Sequence, residues 1–406
     1  MVPRLHVRMM VSWFVSGRKE DEKMSFELSN DVLQYLKDSE EETIKLIETL
    51  CGIPAPSHHE ERRAAFVKDW LEANGAKGVY IDSALNVLYP VGCEGKDDIV
   101  VFVAHTDTVF PDMEPMPFRN DGEYLYAPGV GDDTTSLAVM MMIAKYVAKH
   151  DLKPSRGVLF VANSCEEGLG NLKGTKQFMA DYKGRITEFY SFDAKIGGMT
   201  NKCVGSHRYE VLFETEGGHS FGAFGNRNAI YAMSDVVCRL YDCEVPVDGD
   251  SHTTYNVGIV EGGTSVNTIA QNCKILYEYR SDSAECLAKM QAFFEETIAK
   301  AKEDGKADIT VNLLGVRPCE KDVDAEKLAA MTEKSIRIIE KHSGKPCQAK
   351  SGSTDCNIPM SMGIPAVAVP VYWGDGTHTR EERVRISTIP IGLKIGAEFI
   401  LEYFQK

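Results

Sequence analysis

The sequence carries 11 cysteines in 406 residues, yet no two form a Cys-x-x-Cys pair. An odd, scattered set in so long a chain speaks against a disulfide framework and for reduced thiols, hence a cytoplasmic setting. It also leaves any zinc ion to be held by histidine and carboxylate. Positive charge is in deficit, with 45 Lys and Arg against 60 Asp and Glu, a formal net charge of −15. Phosphates would be repelled, which excludes nucleic acid as a partner. No apolar run approaches the roughly 20 residues of a helical membrane span, so no membrane partner is expected. Internal repeats and low-complexity tracts are missing as well.

What is present is an ordinary globular composition, 43% hydrophobic and 26% charged, with length enough for two domains. Residues 1–23 are basic and partly apolar but lack a signal-peptide core with a small-residue cleavage site. They read as a non-native or disordered extension, with Met24 as the true initiator, and are left out of the fold argument.

The organising stretch is IVVFVAHTDTVFPD, residues 99–112. A short, mostly β-branched run predicts a strand buried on both faces. Chemistry in α/β sheets collects at the carboxyl ends of such strands, where His105 and Asp107 stand. Their spacing of two turns both side chains to one side. A second buried strand from Gly157 ends in Glu166 and Glu167, and a third, EFYSFDA, ends in Asp193. The loop APGVGDD delivers Asp132 and Asp133 in front of an apolar helical run. One of this pair can cap the helix while the other faces the site. Carboxylates gathered at one sheet edge repel one another unless a cation compensates them. His378 follows a later buried strand.

Elsewhere the periodicity predicts a helix over 29–50, another ending near Gly75, and a C-terminal α/β stretch with helices over 325–344 and 389–404. His58 and His59 sit at a helix start; adjacent residues on a helix diverge, so the two read as surface groups. Residues 204–316 follow a βαββαβ order, the pattern of a ferredoxin-like unit. The fold expected is α/β, with this smaller unit inserted into a larger α/β part, residues 24–203 and 317–406. His105, Asp132, Glu166, Glu167, Asp193 and His378 form a donor set suited to two zinc ions joined by one carboxylate.

The motifs HTDTV, APGVGDD, CEEGLGNLKG, FDA, GGHSFGAFG, GGTSVNTIAQ, SGSTDCNIP and GTHT occur in this order. In them the chain resembles the di-zinc metallopeptidases that include peptidase T, bacterial dipeptidases, glutamate carboxypeptidase, aminoacylase and succinyl-diaminopimelate desuccinylase. The resemblance runs from about Leu33 to the C-terminus, and it implies a catalytic domain with a mixed sheet flanked by helices (24–203 and 317–406) that carries an inserted ferredoxin-like lid or dimerisation domain (204–316). It implies that His105 and Asp193 hold one zinc, that Asp132 bridges, and that Glu167 and His378 hold the second. Asp107 would orient His105, and Glu166 would be the general base. His219 resembles the lid histidine that donates to the oxyanion, reaching the site by domain closure or from a partner subunit; alternatively it caps the following helix. Asn267 and Arg280 match lid positions that contact substrate, although Arg280 could equally form an internal ion pair. Gly352, Ser353 and Thr354 would line the pocket, or simply form a loop.

Two departures stand out. Many relatives have lysine shortly after the bridging aspartate, where this chain has Thr134, and the third ligand is Asp193 rather than glutamate. Within the family, aspartate there tilts toward aminopeptidase or dipeptidase activity. The resemblance thus implies hydrolysis of short peptides, with N-acyl amino acids as the runner-up substrates and a catalytically silent binding protein as the alternative of another class. Cobalt or manganese would suit the same donors. A homodimer through the lid is implied in the same way.

Overall fold

A computed structural model describes residues 26–405. The proposed extension, residues 1–23, lies outside the described residues. The main sheet has eight strands in the spatial order Tyr80–Ile81, Val87–Val91, Gly157–Asn163, Ile99–His105, Ile186–Ser191, Ala366–Ala368, Gly198–Cys203 and Gln348–Gly352. Ile99–His105 pairs in parallel with both its neighbours, whereas Val87–Val91 runs antiparallel to Gly157–Asn163. The sheet is therefore mixed. All seven residues of Ile99–His105 and all seven of Gly157–Asn163 are buried, as strands covered on both faces must be.

Helices supply those covers. Ser136–Lys149 and Ile389–Leu401 lie in one apolar cluster with Phe102, Phe160 and Tyr190 from one face of the sheet. Lys173–Asp181 packs its Phe178 and Met179 against Val101, Leu159 and Phe189 from the other. Because successive strand residues face opposite sides, the two cores take alternate residues of the same strands. The helix expected over 29–50 is instead two helices, Asn30–Asp38 and Glu40–Cys51. Ser39 stands between them at φ −94°, ψ −2°, and its carbonyl still accepts the N–H of Thr43.

Residues 205–317 form a separate four-stranded antiparallel sheet, ordered Thr253–Gly262, Asn272–Ser281, Gly205–Glu214 and Asp308–Arg317. Helices Ala229–Tyr241 and Ala284–Glu303 cover one face, completing the βαββαβ order. Cys273, Ile275, Tyr277 and Tyr279 alternate into that core, leaving Glu278 and Arg280 on the opposite face. Two smaller sheets were not anticipated. One joins Arg119–Asn120, Tyr124–Tyr126, Arg383–Arg385 and Gly374–Asp375; the other pairs Gly218–His219 with Thr268–Ile269.

Candidate metal centre

Three parallel strands of the main sheet end side by side, and the loops leaving them converge. His105 closes Ile99–His105 and is almost wholly buried. Its Nδ1 lies 3.0 Å from the main-chain oxygen of Asp107, and its Nε2 lies 3.0 Å from Oδ1 of Asp132. Burial alone would press this imidazole down, but Asp107 and Asp132 more than reverse that and hold it well above its ordinary value. Asp132 faces two ways, since its Oδ2 is 3.2 Å from Nε2 of His378. The same His378 nitrogen lies 3.1 Å from Oε1 of Glu167. Asp193 follows Ile186–Ser191, and ligand atoms of His105, Glu166 and Asp193 lie within 4.8 Å of one another. His105, Asp132 and Glu167 make a second such group.

The electrostatics match a cation site. Burial, and then the charges of Asp132 and Glu166, push the Asp193 carboxyl well above the usual carboxylate range. Burial likewise lifts Glu167 to about 7. Buried carboxylates with such neighbours need a compensating positive charge to stay ionised. Two imidazoles and several carboxylates are hard and borderline donors, a set that takes zinc, cobalt or manganese. The residues present therefore fit a pair of divalent ions.

Around the donors lies a shell of hydrogen bonds that fixes them. Fully buried Asp107 accepts from the N–H of Glu166 at 2.9 Å, the N–H of Glu167 at 3.0 Å and the hydroxyl of Ser57 at 2.6 Å. It thus orients the Glu pair as well as facing His105. Asp133 differs from expectation. Its Oδ2 accepts the main-chain N–H of His105 at 3.0 Å, and no side chain caps helix Ser136–Lys149. The requirement that won was the buried N–H at the strand end, which needs an acceptor.

Several residues escaped the sequence reading. Glu382 accepts from the N–H groups of Gly129 at 2.7 Å, Gly131 at 3.2 Å and Asp132 at 2.9 Å. One buried carboxylate thus holds the loop that presents Asp132. The signal was the glycines of APGVGDD: a Cβ at Gly131 would sit 2.8 Å from Oε1 of Glu382. Arg317 donates to Oε1 of Glu166 at 3.0 Å. Asp355, in SGSTDCNIP, accepts from Asn163 at 2.6 Å and from Thr175 behind the cluster.

Of the other expected site residues, Ser353 borders the cluster through Arg317, whereas the lid residues find partners elsewhere. His219 is exposed, and its Nδ1 accepts from the N–H groups of Phe221 and Gly222, at 3.2 and 3.3 Å. Asn267 stands beside it across the short ribbon, its carbonyl accepting from Ser220 at 2.9 Å. Arg280 pairs with Glu278 at 3.0 and 3.1 Å, the internal ion pair that was its other reading. Gly352 ends a strand, its carbonyl accepting from Val204 at 2.7 Å, and Ser353 accepts from Arg317 at 3.3 Å. Thr354 is bound to Asn357 at 2.9 Å in the loop that follows. His58 is exposed, with φ +75°, and its Nδ1 lies 3.4 Å from Sγ of Cys165.

A mixed α/β sheet with a histidine–carboxylate cluster at its strand ends suits a metal-dependent enzyme. The model of peptidase family M20/M25/M40 matches residues 101–402, and the chain belongs to that family. It is similar to the uncharacterised protein YqjE of Bacillus subtilis, with 26% identity covering 72% of this chain and 77% of that one. Carboxypeptidase G2 of a Pseudomonas species is 23% identical over 99% of both chains. Among solved structures, aminopeptidase PepT of Bacillus cereus superposes with a TM-score of 0.68 and 22% identity, covering 90% of this chain and 99% of that one.

Proposed function

We propose that the protein hydrolyses the amide bond of short peptides, as a di- or tripeptidase or aminopeptidase, with two zinc ions as its cofactors. The observation that carries the reading is Asp132, whose two carboxylate oxygens face His105 on one side and His378 on the other. Two ions would share this carboxylate, with His105 and Asp193 as the residues that would hold one and Glu167 and His378 those that would hold the other. When bound, the pair supplies Lewis acidity and lowers the pKa of a water.

The chain's own groups do the rest. Glu166 is the general base: it takes a proton from the attacking water and returns it to the leaving amine as the C–N bond breaks. Asp107 keeps Glu166 and Glu167 in place through their main-chain N–H groups. His219 and Asn267 belong to the 204–316 unit, which in this reading acts as a lid. On closure His219 donates to the oxyanion, and Arg280 exchanges Glu278 for a substrate carboxylate. Gly352 and Ser353 border the pocket. A homodimer through this unit and a cytoplasmic setting belong to the same reading; 11 unpaired cysteines support the latter.

The similarity to carboxypeptidase G2 over the whole chain favours a second reading, action on N-acyl amino acids or as a carboxypeptidase. Hydrolysis of a mixed panel by metal-reconstituted protein separates the two. Dipeptides and tripeptides with a free amino end should be cleaved, and Glu166→Ala should abolish cleavage. Turnover confined to N-acyl amino acids would overturn the peptidase reading in favour of the second.

A further inference from the structure

Arg317 is the last residue of Asp308–Arg317, in the four-stranded unit, yet its guanidinium lies in the main domain's site. It is buried and makes four contacts there. Nη1 donates to Oε1 of Glu166 at 3.0 Å and to the carbonyl and hydroxyl oxygens of Ser353, both at 3.3 Å. Nη2 donates to the main-chain carbonyl of the same Glu166. One rigid fork therefore grips both the backbone and the carboxylate of a single residue. The third handle on Glu166 is its N–H, held by Asp107 at 2.9 Å. A second arginine of the unit, Arg208, donates to the carbonyl of Gly168 in the loop that follows. Loop 166–168 is thus fastened from the four-stranded unit as well as from the main sheet.

We propose that Arg317 is a positioning residue for Glu166, so that the seating of the four-stranded unit, residues 205–317, fixes the geometry of the base. The inference rests on Glu166 being the base, as proposed above. A carboxylate with free torsions samples many orientations, whereas proton transfer needs hydrogen-bond reach to the attacking water. The fork removes that freedom by tying Oε1 to the residue's own carbonyl through one planar group. A lysine cannot reproduce this, because a single ammonium does not present two parallel donors. Both terminal nitrogens of Arg317 already donate to Glu166 or Ser353, while its buried Nε–H has no partner among the described residues.

The test uses the full metal-reconstituted chain with Arg317→Ala, Arg317→Lys, Glu166→Gln and the double variant Glu166→Gln/Arg317→Ala. Arg317→Ala should lower kcat on a cleaved dipeptide about 100-fold with KM unchanged, and added guanidinium ion should restore part of the loss. Arg317→Lys, which keeps a buried cation should the alanine variant not fold, should also lose kcat and keep KM. Its affinity for a non-hydrolysable reduced-bond dipeptide, read by calorimetry, should match the wild type. The double variant should be no slower than Glu166→Gln alone. A raised KM and weakened analogue binding with kcat intact would overturn the proposal in favour of substrate binding. Further loss in the double variant would overturn it as well. Full activity in Glu166→Gln would instead remove the base reading itself, and this inference with it.

Discussion

At the residue scale, the site depends on groups that touch no substrate. Glu382 accepts three main-chain N–H bonds in the loop that carries Asp132. Glu382→Ala would leave those buried donors unpaired and let the loop drift. Metal affinity should fall about 10- to 100-fold, measured by competition with a chromogenic chelator, while the fold persists. His105, Glu166, Glu167, Asp193 and His378 stood out in the sequence as metal-binding residue types at or after buried strands, and Asp132 as a carboxylate in a glycine-rich loop. Glu382 and Arg317 did not. Each acts through a contact between residues roughly 150–250 positions apart, which no local pattern announces.

Another residue-scale prediction concerns pH. Glu398 lies buried in the last helix, 2.6 Å from Nε2 of His342 and 2.9 Å from Nζ of Lys341. Burial pushes its carboxyl up, and these two partners more than reverse it, leaving it below the ordinary 4.5. A depressed carboxyl stabilises the fold above its unfolded value and loses that contribution as pH falls through the folded one. Urea denaturation should therefore show stability dropping between about pH 5 and pH 3, and more shallowly for Glu398→Gln.

At the element scale, the buried strands and amphipathic helices followed from periodicity, since both faces of Ile99–His105 and Gly157–Asn163 are covered. The last two strands of the main sheet did not follow. Gly198–Cys203 and Gln348–Gly352 read GMTNKC and QAKSG, and neither has the apolar alternation that marks a strand. Main-sheet pairing overrode local propensity there. The C-terminal helix Ile389–Leu401 makes a sharper prediction. It approaches the strand-end backbone so closely that a Cβ at Gly392 would lie 1.6 Å from the carbonyl oxygen of Val371. Gly392→Ala must push the helix outward, at a cost of about 1–3 kcal/mol. The checking measurement is a lower urea midpoint at unchanged m-value.

At the scale of the whole molecule, two sheets are coupled through the site. The main sheet supplies His105, Asp193 and the Glu pair, and the four-stranded unit reaches Glu166 through Arg317. Crowding buried carboxylates at one sheet edge destabilises the metal-free chain, so binding at that edge stabilises the folded state. Dialysis against a chelator should lower the thermal midpoint as well as end hydrolysis, and restoring zinc should recover both. A chelated protein with an unchanged midpoint would argue against a cation-compensated cluster.

Asp132, with one carboxylate oxygen toward His105 and the other toward His378, would join two metal ions into a single hydrolytic centre. The most direct test is a stepwise zinc titration of the metal-free chain, with metal content and dipeptide hydrolysis followed together. Binding should saturate at two equivalents per chain, with full activity only near the second, and Asp132→Ala should lose both. Saturation at one equivalent with full activity, or an Asp132→Ala variant that still binds two ions, would contradict that role for Asp132.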